Sequence, residues 1–141
     1  MAGTVIFRIY KARLRLAAVA SILEVASIVS PLADFDSLSR MKLARQAPLR
    51  SLIFALCARC ARFLDDACYN LELSGGAKRK GAFDPRAALE TLQGKKARVA
   101  ESQRLLEKGE TAAAIKMLAG TKDGLEELAG RMDAALERKI R

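Results

Sequence analysis

The chain has no histidine and no tryptophan, and only 5% of its 141 residues are aromatic. Without histidine, the commonest general acid–base group and the commonest metal ligand are both missing. No G-x-S-x-G nucleophile elbow and no phosphate-cradling G-x-x-x-x-G-K occurs, nor a G-x-G-x-x-G between a strand and a helix pattern. Asp65 and Asp66 form the one adjacent carboxylate pair in the central stretch. Neighbours on a helix point about 100° apart, so the two do not converge on a single proton or metal. Asp66 follows Arg62 by one helical turn, and a surface ion pair explains it. The sequence therefore reads as non-enzymatic, with no cofactor and no metal.

Cysteine is scarce as well: three residues, all in one stretch, which make no disulfide framework. Cys57-x-x-Cys60 and Cys68 fall on the apolar side of a helical pattern, which suits reduced thiols packed in a core and a reducing compartment. Three thiols without an imidazole fall short of the four ligands of a structural zinc. A redox C-x-x-C sits at the exposed start of a helix, whereas this one is in the middle.

What is abundant is apolar and basic. Hydrophobic residues make up 51% of the chain, too many for a disordered protein, and Ala, Leu and Arg dominate as they do in helical domains. Lys and Arg outnumber Asp and Glu by 25 to 16, a formal net charge of +9. Such an excess bears on partners, with nucleic acid, an anionic membrane or an acidic protein as candidates. The charge is uneven, with ten basic against three acidic groups in residues 1–62 and seven against two in 74–98.

The central stretch runs from Pro48 to Leu73. Leu49, Leu52, Ile53, Leu56, Cys57, Cys60, Phe63, Leu64, Ala67, Cys68 and Leu71 trace a wide apolar helical stripe. Pro48 suits a first helical position and Ser74-Gly75-Gly76 a stop. The opposite side carries Ala55, Ala58, Arg62, Asp65 and Tyr69, small enough in part for a second helix to pack there. Before it, Leu14 to Leu32 is almost wholly apolar, interrupted by Ser21, Glu24 and Ser27 and ended at Ser30-Pro31. A helix apolar over most of its circumference belongs inside a bundle or a membrane. A carboxylate at mid-membrane costs roughly 2.5–3.5 kcal/mol, so Glu24 favours the bundle. The Arg-rich, acid-free start leaves an organelle-import segment as the other alternative.

Downstream, SGGAKRKGAF is a glycine-rich basic loop, and Asp84-Pro85 is an N-cap followed by a first-position proline. Leu89, Leu92, Lys96, Val99, Gln103 and Leu106 alternate in steps of three and four up to Gly109. Ile115, Leu118, Lys122, Leu125, Ala129, Met132 and Leu136 continue the alternation, as an antiparallel hairpin with a coiled-coil-like seam would. Gly120-Thr121 is a place for the second arm to break, with Thr121 as cap. Leu105, Gly109, Ala114 and Leu118 resemble the middle of a tetratricopeptide repeat over about twenty residues, but without its Trp, its terminal Pro or a second copy, so the segment reads as a plain helical hairpin.

The expected fold is all-α, a bundle of four or five helices with a C-terminal antiparallel helical hairpin. An N-terminal core spans 1–73, with helices over about 5–29, 36–46 and 48–73. The basic loop spans 74–84 and the hairpin 85–141, packed with the core as one domain. Leu23, Ile28, Leu52, Ile53, Leu56 and Phe63 are expected in the core.

The expected function is a small basic subunit of a cytoplasmic nucleoprotein complex, touching an RNA or DNA backbone without reading sequence. The contacts would be Lys78, Arg79 and Lys80 in the loop, Lys95, Lys96 and Arg98 on the next helix, and Arg8, Lys11, Arg13 and Arg15 near the start. In composition this resembles the all-helical basic subunits of ribonucleoprotein complexes. The alternative is a protein–protein scaffold or assembly subunit, membrane-associated or organelle-imported, whose helical faces hold protein partners or a second copy. A membrane is the weaker partner of these.

Overall fold

Straight-chain and alanine-rich segments without period-two alternation fold locally into helices, and the long ones survive by burying a stripe against one another. The computed structural model describes residues 2–33, 43–74 and 83–140. Those residues form α1 (Ala2–Ala33), α2 (Leu43–Ser74), α3 (Pro85–Glu107), α4 (Thr111–Gly120) and α5 (Leu125–Ile140). The expected helix over 36–46 falls mostly outside the described residues, its last four positions being part of α2. Residues 75–82 of the basic loop lie outside them too.

Side-chain pairings fix the direction of each helix. Arg8 meets Asn70 and Arg15 meets Asp66, so α1 and α2 are antiparallel. Lys96 meets Asp65 while Arg50 reaches Leu106, so α2 and α3 are antiparallel. The tight turn at 108–110 sends α4 back along α3, and Glu24–Lys122 with Arg13–Asp133 sets α4 and α5 antiparallel to α1. The result is an up-down-up-down bundle in which α1 packs on α2, α2 on α3, α3 on α4, and α4 closes back on α1. The fourth column is split: α4 packs against both α3 and α1, whereas α5 packs along α1. The seam residues Leu125, Met132 and Leu136 are buried.

The turns follow from their residues. Asp84 caps α3, its Oδ1 accepting from the Arg86 N–H at 3.0 Å, with Pro85 next. At the other end Gly109 takes φ 81°, and the N–H groups of Gly109 and Glu110 close onto the carbonyls of Leu106 and Leu105. That left-handed position is where a side chain would strain the backbone. Between α4 and α5 the Thr121 hydroxyl donates to the Met117 carbonyl at 2.8 Å, and Gly124 takes φ 83°. Thr121 thus caps the end of α4 and does not open α5.

Two prolines lie inside helices where boundaries were expected. Pro48 is in the second turn of α2 and Pro31 in the last turn of α1. Proline holds a helical φ of about −65°, and near a helix end its missing N–H deprives only one carbonyl of a partner. That cost is small beside the burial gained by both long helices.

The core runs the length of the bundle. Ile9, Ala12, Leu16, Val19, Leu23 and Ala26 supply it from α1, and Ile53, Cys57, Cys60, Leu64, Ala67 and Leu71 from α2. Leu92, Val99, Ile115, Leu118, Leu125 and Met132 complete it from the other helices. Full burial of each larger side chain is worth about 1.5–3 kcal/mol. Leu56 and Phe63 pack at its edge as partly buried residues. Two expected core residues are not there. Ile28 is 68% exposed and Leu52 44% exposed. Each sits in an apolar helix stretch wider than the contact it makes, so it faces outward.

Candidate interaction surfaces

The fold puts most of the described candidate nucleic-acid contacts to other uses. Arg13 holds Asp133 through two nitrogens, at 2.8 and 3.3 Å. Arg15 pairs with Asp66 at 2.6 Å and lies over the Phe63 ring. Arg8 donates to the Asn70 side chain at 3.1 Å, and the Lys11 ammonium sits 5.1 Å from the centre of the Phe7 ring. On α3, Lys96 is bound to Asp65, and that hydrogen bond raises its pKa against the opposing effect of burial. Lys95 donates to the Asp123 carbonyl, and burial, with Arg98 nearby, lowers its pKa. Arg98 is exposed. Lys78, Arg79 and Lys80 lie outside the described residues. The α1 and α3 candidates stand on different helices, where Arg8, Arg15 and Lys96 bridge to α2, Arg13 to α5 and Lys95 to the turn before α5.

The feature that the sequence pattern hid is the outer face of α1. Phe7, Tyr10, Leu14, Ala17, Ser21, Glu24 and Ile28 follow steps of three and four, and every one of them is exposed. Phe7, Tyr10 and Leu14 are each 50% exposed, and Val25 beside the stripe 39%. The stripe lies opposite the core-facing stripe of Ile9, Ala12, Leu16, Val19, Leu23 and Ala26, which has the same spacing. Two interleaved stripes of equal period read as one all-round apolar helix, which is why only the narrow polar line of Ser21, Glu24 and Ser27 stood out. That spacing was the available signal. The two serines turn inward on their own helix, donating to the Ala17 and Leu23 carbonyls. α1 is also long and apolar enough to cross a membrane by length and composition, yet only 22% of its most apolar window is buried in the bundle.

The outer side of α2 is mixed. Ala55, Ala58, Arg62, Asp65 and Tyr69, where the sequence leaves room for a second helix, are all exposed, with Arg59 exposed among them. Near its start, an open groove of about 410 Å³ is lined by Ala47, Arg50, Ser51, Phe54, Leu106 and Glu107. Arg50 closes its floor by donating to the Leu106 carbonyl at 2.9 Å, at the C-terminal end of α3.

The thiols are inert features of the core. All three cysteines are buried and free. Burial pushes the Cys57 thiol up to about 11, and burial with the neighbouring Cys57 pushes Cys60 up to about 12. Neutral thiols of this kind are poor nucleophiles and poor ligands. Among the described residues no cluster of three or more potential metal ligands forms.

No known protein family, curated protein or solved structure matches the chain.

Proposed function

We propose that this protein is a non-enzymatic helical assembly subunit that holds a protein neighbour on the outer face of α1. The observation that carries this reading is the exposed stripe from Phe7 to Ile28, apolar over most of its length and regular in period. Exposed apolar surface of this extent, on a helix whose opposite face already lines the core, is the mark of an interface. Crossing a membrane is a poorer explanation. The opposite face of α1 is the core of the bundle, and along its length Arg13 and Arg15 are ion-paired to α5 and α2 and Glu24 to Lys122 in the turn before α5. Insertion would carry those pairs, and the arginines on the outer side of α2, into hydrocarbon.

The test is purification of the tagged protein from its own cells, as wild type and as Leu14→Glu. A stoichiometric assembly present with the first and lost with the second is the expected result. An identical set of companions for both would refute the reading.

A second reading, a nucleoprotein subunit lying on a phosphate backbone, is supported by the net charge of +9. Binding to generic RNA and DNA that weakens steeply with salt, and loses part of its slope when Lys78, Arg79 and Lys80 become Ala, is its expected signature. No binding at low salt would remove it.

A further inference from the structure

We infer that the occupant of the α1 face is a second copy of this chain, paired antiparallel through α1 about a twofold axis at Ala17–Ala18. The inference rests on the assembly reading above and names its partner.

The stripe is complementary to itself in only one direction. Its large residues lie towards the two ends, Phe7, Tyr10 and Leu14 on one side and Val25 and Ile28 on the other, while Ala17 and Ser21 form a small-residue waist. Reversed and centred on Ala17–Ala18, one helix sets its Phe7 against the other's Ile28 and its Tyr10 against Val25. Ala17 and Ala18 then meet at the axis, where short side chains let two helices approach closely, and Leu14 of each copy lies over Ser21 of the other. An in-register parallel pair would instead stack Phe7 on Phe7 and Tyr10 on Tyr10 at one end, and Glu24 on Glu24 at the other.

Charge selects the same arrangement. The antiparallel register brings Lys11 of each copy to Glu24 of the other, twice by symmetry. Lys11 is anchored over the Phe7 ring at the edge of the stripe, and Glu24 lies within it, already paired with Lys122. The molecule's overall positive charge opposes self-association, but Arg13 and Arg15 beside the stripe are neutralised by Asp133 and Asp66. Arg8, bonded to the neutral Asn70 side chain, and Lys11 remain as positive charges at this edge, with Glu24 shared between Lys122 of its own copy and the Lys11 that approaches it.

With aromatic side chains of ~150–250 Å² half exposed and the aliphatic ones comparable, the stripe and its flanks present on the order of 500–700 Å² per copy, so a pair covering nearly all of it would bury about 1,000 Å² in total, the lower bound for a specific interface. The stripe is also long: 21 steps at 1.5 Å span about 32 Å.

The experiment uses the full chain. Sedimentation velocity should give twice the 15.3 kDa chain mass for wild type and the single mass for Leu14→Glu, with unchanged helical circular dichroism. Ile28→Glu, at a more exposed position, serves as the second variant should Leu14→Glu fail to fold. Under oxidation Ala17→Cys should form a covalent dimer, because the two copies of residue 17 meet at the axis. Phe7→Cys should not, because its two copies stand at opposite ends of the contact. A monomer at every concentration, a dimer indifferent to both charged variants, or a crosslink through Phe7→Cys would each overturn the proposal. So would a monomer that floats with vesicles of phosphatidylcholine and phosphatidylglycerol, which would assign the stripe to a lipid surface. Should the chain be monomeric while Leu14→Glu still strips an assembly from cells, the assembly reading stands with another occupant. If neither occurs, both fall.

Discussion

α1 and α5 lie against each other and make the same kind of inward contact, yet their outer sides are opposites. α5 buries Leu125, Leu128, Met132 and Leu136 and presents Glu126, Glu127, Arg131, Asp133 and Glu137 to water. Of its outer charges, Glu127 pairs with Arg131 one turn on and Asp133 with Arg13 of α1. It is an amphipathic helix with nothing left to explain. α1 buries an equally good stripe and then repeats it on the far side, where Phe7, Tyr10, Leu14 and Ile28 meet solvent. The difference teaches that hydrophobicity beyond what a core needs is information about partners. One helix completes the bundle, and the other completes it and reaches past it.

The largest effect should separate the two faces of α1. Leu23→Ala, on the inner face and fully buried, should cost about 2–5 kcal/mol in denaturant unfolding. Leu14→Ala, measured at a dilution where the chain is monomeric, should stay within about 0.5 kcal/mol of wild type. Equal costs would mean that the outer stripe is part of the core after all.

The next prediction concerns pH and sharpens the inner side of the comparison. Cys57 and Cys60 are held neutral when folded, with pKa values of about 11 and about 12, and return to the ordinary 9.0 when the chain unfolds. The unfolded chain alone sheds these protons between the two values, so stability on their account is full below pH 9 and falls above it, by up to about 1.4 kcal/mol per pH unit for each thiol. Unfolding followed from pH 8 to pH 10.5 should show that loss, and the double variant Cys57→Ala/Cys60→Ala should show a smaller slope. An unchanged slope would mean the thiols ionise freely in the fold.

Smaller effects test the joint that lets α5 leave the hairpin. Gly124→Ala forces a side chain into a positive φ and should destabilise by about 1–2 kcal/mol. Gly94→Ala, in the middle of α3 with open space around the added methyl, should stabilise by about 0.5–1 kcal/mol. Ser102 carries a buried hydroxyl with no hydrogen-bond partner among the described residues, so Ser102→Ala should raise the melting temperature slightly. A loss there would show that the hydroxyl is partnered in solution.

Much of the fold could be read in the residues themselves. Asp84-Pro85, Gly109 and the three-four spacing from Leu89 to Leu106 set the start, the end and the buried side of α3 through local chemistry alone. The two prolines misled because a proline's effect depends on how near it stands to a helix end, and long-range packing sets that end. The surfaces were harder to read for a related reason. Arg13 and Arg15 look like free charges until their partners arrive from 120 and 51 positions away. Ile28 and Leu52 look like core because a stripe shows periodicity without showing which of two directions is inward.

The claim that α1 faces a protein and α5 faces water can be tested directly by placing a photo-crosslinking amino acid at Leu14 in one sample and at Glu137 in another, then irradiating living cells. A discrete protein adduct from position 14, at twice the chain mass if the partner is a second copy, and none from position 137 is the predicted result. No adduct from position 14, or the same adducts from both positions, would contradict the account.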